Sequence, residues 1–458
     1  MLRKIAVFIT VPFIFAYIAI PLFADGPSYE YLVNEIKLLK EKVAELEKKV
    51  SEYEKSQIST ENVREEVKKS LISYEPGEGV KVEPAGLAIG ASGTFVFQGT
   101  PNANNSIDGE DSVFDASYKA NIDIMKEFGD WGLAFAELEA GENDSIESEL
   151  SVFSNVDRAA SDTGAHVDVN KLWYEHYLFN RRFTITAGKM EAADYMDQNE
   201  YAYDECAQFL GHMFRNSPVI EFPDGNGPGL RAILCLGSVK CLELSGGIFE
   251  ADSDWDDIFD RMFYMAQLNF KPTLVFGADE KQWDGNYRFY FWVNDRCHEK
   301  LVGAGEVTDK TKQTNYGLGI SCDQMITDVF GVFGRFGWQR PDIFPAGVTA
   351  ADVAGNPTLE WAWSAGIQVT GQYWSRPDDA IGFAIGQVFP GNEWDNASSD
   401  THGRGEGHIE TYYRFQLNEC ISLSPDLQVI WNPYGIGKSS EGDGDTMFIY
   451  GMRGQLDF

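Results

Sequence analysis

The sequence predicts an all-β fold: a transmembrane antiparallel β-barrel of about 16 strands, preceded by a signal peptide and an α-helical coiled coil. Three observations carry this. The last stretch, Thr446 to Phe458, alternates, with Phe448, Tyr450, Met452, Leu456 and Phe458 on one face and Ile449, Gly451, Arg453, Gln455 and Asp457 on the other. A period of two is a β-strand, and an aromatic face backed by a polar one suits a wall between lipid and a wet lumen. The composition, with 45 Gly and 14% aromatic residues, suits many short strands joined by tight turns. Beyond the N-terminus no apolar run is long enough for a membrane helix. A mean hydropathy of −0.28 does not oppose insertion, because lipid-facing and lumen-facing residues average out.

Taken in order, 1–24 reads as a signal peptide. Arg3 and Lys4 precede an apolar run from Ile5 to Phe23, and Ala24 stands before Asp25. An uncleaved inner-membrane anchor is the alternative for so long a run. Residues 25–74 read as a stalk. Ile36, Val43 and Val50 recur at one heptad position and Leu32, Leu39, Leu46 and Tyr53 at the other, with Glu and Lys between them. That is a coiled-coil seam, and β-branched residues at one position with Leu at the other favour two strands. A single amphipathic helix is the alternative. The stretch 75–84, EPGEGVKVEP, reads as a linker with two Pro and two Gly. Residues 85–458 are the barrel, at roughly 20–25 residues per strand with its turn or loop.

Within the barrel the alternation recurs. Phe95 and Phe97 oppose Thr94 and Gln98, Tyr118 and Ile122 oppose Lys119 and Asp123, and Phe289 and Phe291 oppose Arg288, Tyr290 and Trp292. With aromatics outward, Arg288, Arg414, Gln416, Asp426, Gln428, Arg453 and Gln455 face the lumen. Fixed Arg donors beside Asp and Gln acceptors suit hydroxyl-rich solutes. These groups also suit one another, as a network bracing the wall. The segment Glu191 to Pro218 is too long and polar for a turn, and reads as a constriction loop. Asp194, Asp197, Asn199 and Arg215 are its candidate pore residues, and Tyr195, Tyr201 and Tyr203 offer rings with polar tips. Glu175 and Lys189, on the strands before it, are candidates for a pair.

The net charge is −34. Such a chain repels nucleic acid, and it favours either solvated loops or a pore mouth selective for cations and neutral solutes. The six Cys contain no CxxC pair, and the six His lack metal-ligand spacing, so no metal or other cofactor is expected. Cys235 and Cys241 flank a short turn and are the one candidate disulfide. DGNG at Asp224 and DGDGD at Asp443 lack the ligand series of a calcium loop ending in Glu. No P-loop, GxSxG or HExxH occurs, and no enzyme is expected.

Three runs carry a family resemblance: LWYEHYLFNRRFTITAGKMEAADYMDQNEYAYDECAQFL from Leu172, RPDDAIGFAIGQV from Arg376, and ETYYRFQLNECISLSPDLQVIWNPYG from Glu410. Together with the terminal strand they resemble the carbohydrate-selective porins of bacterial outer membranes, the OprB type. The resemblance spans most of 85–458 and leaves out the coiled coil. It implies a 16-stranded barrel, a loop folded into the lumen and passive diffusion of sugars, with outer-membrane lipid around the wall. A homo-oligomer is expected, a trimer as in many porins or a dimer through the coiled coil, which would lie in the periplasm. The alternative is a structural barrel whose stalk spaces or tethers the envelope.

Overall fold

A computed structural model describes residues 72–82, 85–105, 112–161, 163–236, 242–276, 281–302, 306–346, 357–395, 404–435 and 446–458, together with a few helical residues at 37 and 40–42. The expected signal peptide, nearly all of the heptads, and Cys241 lie outside the described residues. The chain divides into two units, Met1–Ser73 and Tyr74–Phe458, and the second is the barrel.

Two short strands, β1 (Ile72–Glu75) and β2 (Gly79–Val82), come first. The stretch expected as a linker therefore contains β2, which pairs with the start of β3 through Val80 and Ile89. The wall begins with β3 (Leu87–Thr100), β4 (Val113–Glu127), β5 (Gly132–Glu142), β6 (Asp168–Leu178), β7 (Phe183–Met190), β8 (Gly227–Cys235), β9 (Leu242–Glu250) and β10 (Met262–Phe270). A short β11 (Thr273–Phe276) pairs with the start of the next strand. The wall continues with β12 (Lys281–Val302), β13 (Glu306–Thr327), β14 (Phe330–Gln339), β15 (Leu359–Thr370) and β16 (Ala380–Pro390). It ends with β17 (Glu406–Asn418), β18 (Ile421–Trp431) and β19 (Met447–Asp457).

Each wall strand pairs antiparallel with its neighbours in sequence, and β19 pairs with β3, so the sixteen strands close. Closure leaves no edge unpaired, as a lipid-exposed sheet requires. The final residue takes part: the Phe458 amide donates to the Ala91 carbonyl at 2.8 Å, and the Ala91 amide returns a bond to the Phe458 carbonyl at 3.2 Å. The expected alternation holds around the wall. Phe95, Phe97, Phe289, Phe291, Leu427, Phe448 and Tyr450 are exposed on the outer face, while Thr94, Gln98, Arg288, Asp426 and Arg453 are buried inside.

Connections alternate in length. Tight turns join β4 to β5, β6 to β7, β13 to β14 and β17 to β18, and Phe128, Trp131 and Phe179 at two of them form part of an exposed aromatic girdle. The opposite end carries the long loops, of which 143–167 and 191–226 are the longest. Cys206, Cys235, Cys297, Cys322 and Cys420 are free thiols, so Cys235 carries no bond here.

Candidate functional site: the lumen and its constriction loop

Both long loops fold into the barrel. Loop 143–167 places Ile146, Leu150 and Val156 against Ile430 of β18 and Met447 and Ile449 of β19. Loop 191–226 makes two apolar contacts with the inner wall. Tyr195, Met196 and Ile220 pack against Phe249, Phe263, Tyr290 and Trp292. Tyr201, Phe209, Met213, Phe214 and Val219 pack against Phe333, Ala362, Ala384, Val388 and Tyr412. The wall makes room for them with glycine. A Cβ at Gly331 would stand 2.1 Å from the Tyr201 ring, and one at Gly337 would stand 2.5 Å from the Ser217 hydroxyl. The expected constriction loop therefore lies inside the barrel, and its tyrosines are packed into wall and loop.

Polar anchors complete the attachment. Arg335 of β14 is buried and donates to the carbonyls of Phe214, Asp197 and Ala202. Its Nε lies 3.3 Å from the Asp197 carboxylate, whose other oxygen accepts from the Ser217 amide at 2.7 Å. Asn199 donates to the Cys322 carbonyl at 3.1 Å. Glu410 of β17 accepts the amides of Leu210 and Gly211. Arg453 donates to the carbonyls of Glu205 at 2.8 Å and Gln208 at 2.7 Å. Gln428 does the same for loop 143–167, donating to the Val156 carbonyl at 2.9 Å and to its neighbour Asp426.

What the loops leave open is a cavity of about 510 Å³. Lys119, Glu139, Arg158, Glu191, Glu205, His212 and Arg215 line it, with Asn170 and Asn226 among the neutral groups. The charges interlock. Arg215 Nε lies 2.7 Å from Glu205 and its guanidinium reaches Glu191 at 3.4 Å, while Lys119 lies 3.4 Å from Glu205. Lys171 reaches Asp194 at 2.7 Å and Glu191 at 3.2 Å. A bulge in β6 turns Asn170 inward beside Lys171: Glu137 pairs with Lys171 and Leu138 with Val169, so Asn170 has no partner strand residue and bonds Glu137 and Glu139 instead.

Burial favours the neutral form of Glu191, but Arg215, Lys171 and Arg158 outweigh it and hold the carboxyl at about 2. Glu205 is likewise driven below the usual carboxylate range, its burial overcome by Arg215 and Lys119. Burial and then the charges of Arg158, Arg215 and Arg335 lower His212 to about 3, so it is neutral at physiological pH.

The sequence candidates thus separate. Arg215 and Asp194 stand in the cavity network. Asp197, Asn199, Asp426, Gln428 and Arg453 lie inside the barrel but off the cavity lining, and each holds a loop or a neighbour. Arg288 is inward and pairs with Asp323 under 199–200. Arg414 and Gln416 are inward at the tight-turn end, where Arg414 reaches the Asp378 carbonyl at 3.5 Å and Gln416 the Asn418 carbonyl at 2.7 Å. Glu175 accepts from Thr186 at 2.9 Å. Lys189 is a correction. It pairs across the strands with Leu172, which is half exposed on the outer face, and its ammonium bonds the Val169 carbonyl. Directly opposed residues share a face, so Lys189 lies outside the lumen and does not meet Glu175. Lys119, Glu139, Arg158 and Glu205 went unsingled in the sequence, where only the inward register of Lys119 was a signal.

The family model described as carbohydrate-selective porin, OprB family, matches residues 134–458. Among solved structures, the high-pH structure of Pseudomonas putida OprB superposes with a TM-score of 0.64 at 14% identity, covering 82% of this chain and 94% of that one. An uncharacterised protein of Aquifex aeolicus is 28% identical over 131 residues, 29% of this chain and 36% of the relative, so the shared stretch spans about a third of that relative's length.

Proposed function

The chain belongs to the OprB family of carbohydrate-selective porins, and from that premise we propose that it is an outer-membrane channel for passive diffusion of sugars and other small hydroxyl-rich solutes. The observation that carries the reading is the cavity between the two inserted loops. Its volume falls in the range of small-molecule sites, roughly 300–1,000 Å³, and fixed Arg and Lys donors face Glu acceptors across it. Hydroxyl groups both donate and accept, so a sugar can exchange water for these groups without leaving either sign unpaired. Selectivity in such a pore rests on width, hydrogen-bonding groups and charge. The test is single-channel recording of the purified protein in a planar bilayer with neutral sugars added. The reading predicts open-channel current that falls saturably with sugar. A barrel that carries no current would support the structural alternative.

Residues 25–74 supply a second role in this reading, a periplasmic coiled coil that joins copies of the chain. What supports its side of the membrane is the barrel's polarity: β3 begins at the tight-turn end, and short turns face the periplasm in bacterial outer-membrane barrels. Val43→Asp would bury a charge in the seam at high cost. The peptide Tyr29 to Leu71 should associate in sedimentation and lose helicity and association on that change. A monomeric unmutated peptide would remove the role.

A further inference from the structure

Where β9 ends and the chain turns toward β10, at the long-loop end, residues 250–254 read EADSD. Glu250, the last residue of β9, is 1% exposed, yet neither of its carboxylate oxygens accepts a hydrogen bond. The Ser253 amide and the Asp252 carboxyl lie beside it, neither in good hydrogen-bond geometry, and Asp252 and Asp254 add two further acids to its surroundings. One oxygen from each of the three carboxylates lies within 4.8 Å of the other two. Three acids this close disfavour one another's ionised forms, and a buried carboxylate without a partner is costly. A positive charge among them resolves both problems.

The donor set selects the ion. All three ligands are hard oxygens with no His or Cys, which suits calcium or magnesium and not zinc. Calcium binds oxygens at about 2.3–2.6 Å in flexible geometry, so oxygens on opposite sides of it stand roughly 5 Å apart, and the three here lie within that span. Magnesium demands shorter, near-octahedral contacts and keeps its waters. The turn is also built to be held. Ser253 adopts a left-handed φ of 62°, its hydroxyl accepts from the Gly225 amide at 2.9 Å and donates to the Gly225 carbonyl at 2.7 Å, and Asp254 accepts the Asp256 amide at 2.9 Å. Gly225 and its neighbours Asp224 and Asn226 line the lumenal cavity.

We propose that Glu250, Asp252 and Asp254 form a calcium site at the outer rim of the barrel, which ties the β9–β10 loop to the segment lining the cavity. The site is separate from the acidic turn DGNG at Asp224. Calcium offsets most of the charge of the three acids, and through Ser253 it steadies the backbone at Gly225.

The test uses terbium(III) as a calcium substitute on the full-length protein in detergent, stripped of divalent ions, with Trp255 next to Asp254 as the antenna. Trp255 is 61% exposed and adjoins the third ligand. Excitation of tryptophan should give saturable terbium emission that calcium displaces and the same concentration of magnesium does not. Asp252→Asn combined with Asp254→Asn should weaken calcium competition by roughly tenfold or more, since ligand charge sets affinity in such sites. Trp255→Phe should abolish the emission and leave calcium binding by calorimetry unchanged. Emission that survives Trp255→Phe would place the ion elsewhere on this acidic chain and overturn the proposal. Should the double variant fail to fold, Asp254→Asn alone decides, because Asp254 is exposed; unchanged calcium affinity there would also overturn it.

Discussion

The two sides of loop 191–226 use the same residue types to opposite ends. On the wall side Asp197, Arg335, Glu410 and Arg453 are nearly or wholly buried, and most of their partners are backbone amides and carbonyls of the loop. On the cavity side Glu191, Glu205 and Arg215 meet Lys171, Lys119 and Arg158, and Arg158 keeps 42% of its side chain exposed. A charge bound to backbone in a dry interface fixes a shape. A charge facing another charge beside water tunes a potential and remains available to a solute. The difference lies in what covers each side chain, since the strand residues Arg335, Glu410, Arg453, Lys119 and Lys171 all share the inward face.

The largest effect should come from cutting the wall side. Arg335→Ala leaves the Asp197 carboxylate buried without its cation and three loop carbonyls without a donor, a loss of about 3–5 kcal/mol. The loop should leave β14, raising single-channel conductance and lowering the unfolding temperature. Unchanged conductance would mean that the apolar contacts alone hold the loop. Arg453→Ala comes next. It removes two charge-assisted hydrogen bonds to the loop but strands no buried carboxylate, and the contacts of β14 remain. Conductance should rise less than in Arg335→Ala, and a sugar-block assay should show weaker block.

Acid should separate the sides as well. Glu191 is held at about 2, below its ordinary value near 4.5, so the stability it contributes is present above pH 4.5 and is lost as pH falls through 2. The difference in reversal potential between the native channel and Glu191→Gln should therefore persist at pH 3. An ordinary carboxylate would have lost it by then, and loss between pH 5 and 4 would show that Arg215 and Lys171 do not hold the charge. His212 runs the other way. Its value falls from 6.5 to about 3, so the unfolded chain binds the proton first and its contribution to stability declines as pH drops from 6.5 toward 3. The smallest structural effect belongs to Arg158→Ala. Its pair with Glu191 spans 4.0 Å at a half-exposed position, so stability should change by less than about 1 kcal/mol while the channel becomes more selective for cations.

Much of the fold was legible because a barrel wall writes its geometry into alternate residues. Phe448 and Tyr450 outward against Arg453 inward is enough to set the register of β19, and the neighbouring strands follow it. The constriction loop was legible as a long polar interruption at Glu191. The cavity was not, because inward direction does not say whether a loop will cover the side chain. Lys119 and Arg453 share the inward face, yet Lys119 opens onto the cavity and Arg453 lies under 205–208. Loop 143–167 gave no signal at all, since Ile146, Val156 and Asp157 follow no period. Lys189 is polar yet faces outward, because its pairing with the outward Leu172 sets its register and polarity alone does not.

The division of the lumen rests most directly on one measurement: reversal potential under a potassium chloride gradient for the native channel, Arg158→Ala and Arg414→Ala. Both arginines face inward, but Arg158 lines the cavity and Arg414 sits at the tight-turn end. The account predicts a shift toward cation selectivity for Arg158→Ala and none for Arg414→Ala. A shift for Arg414→Ala with none for Arg158→Ala would contradict it.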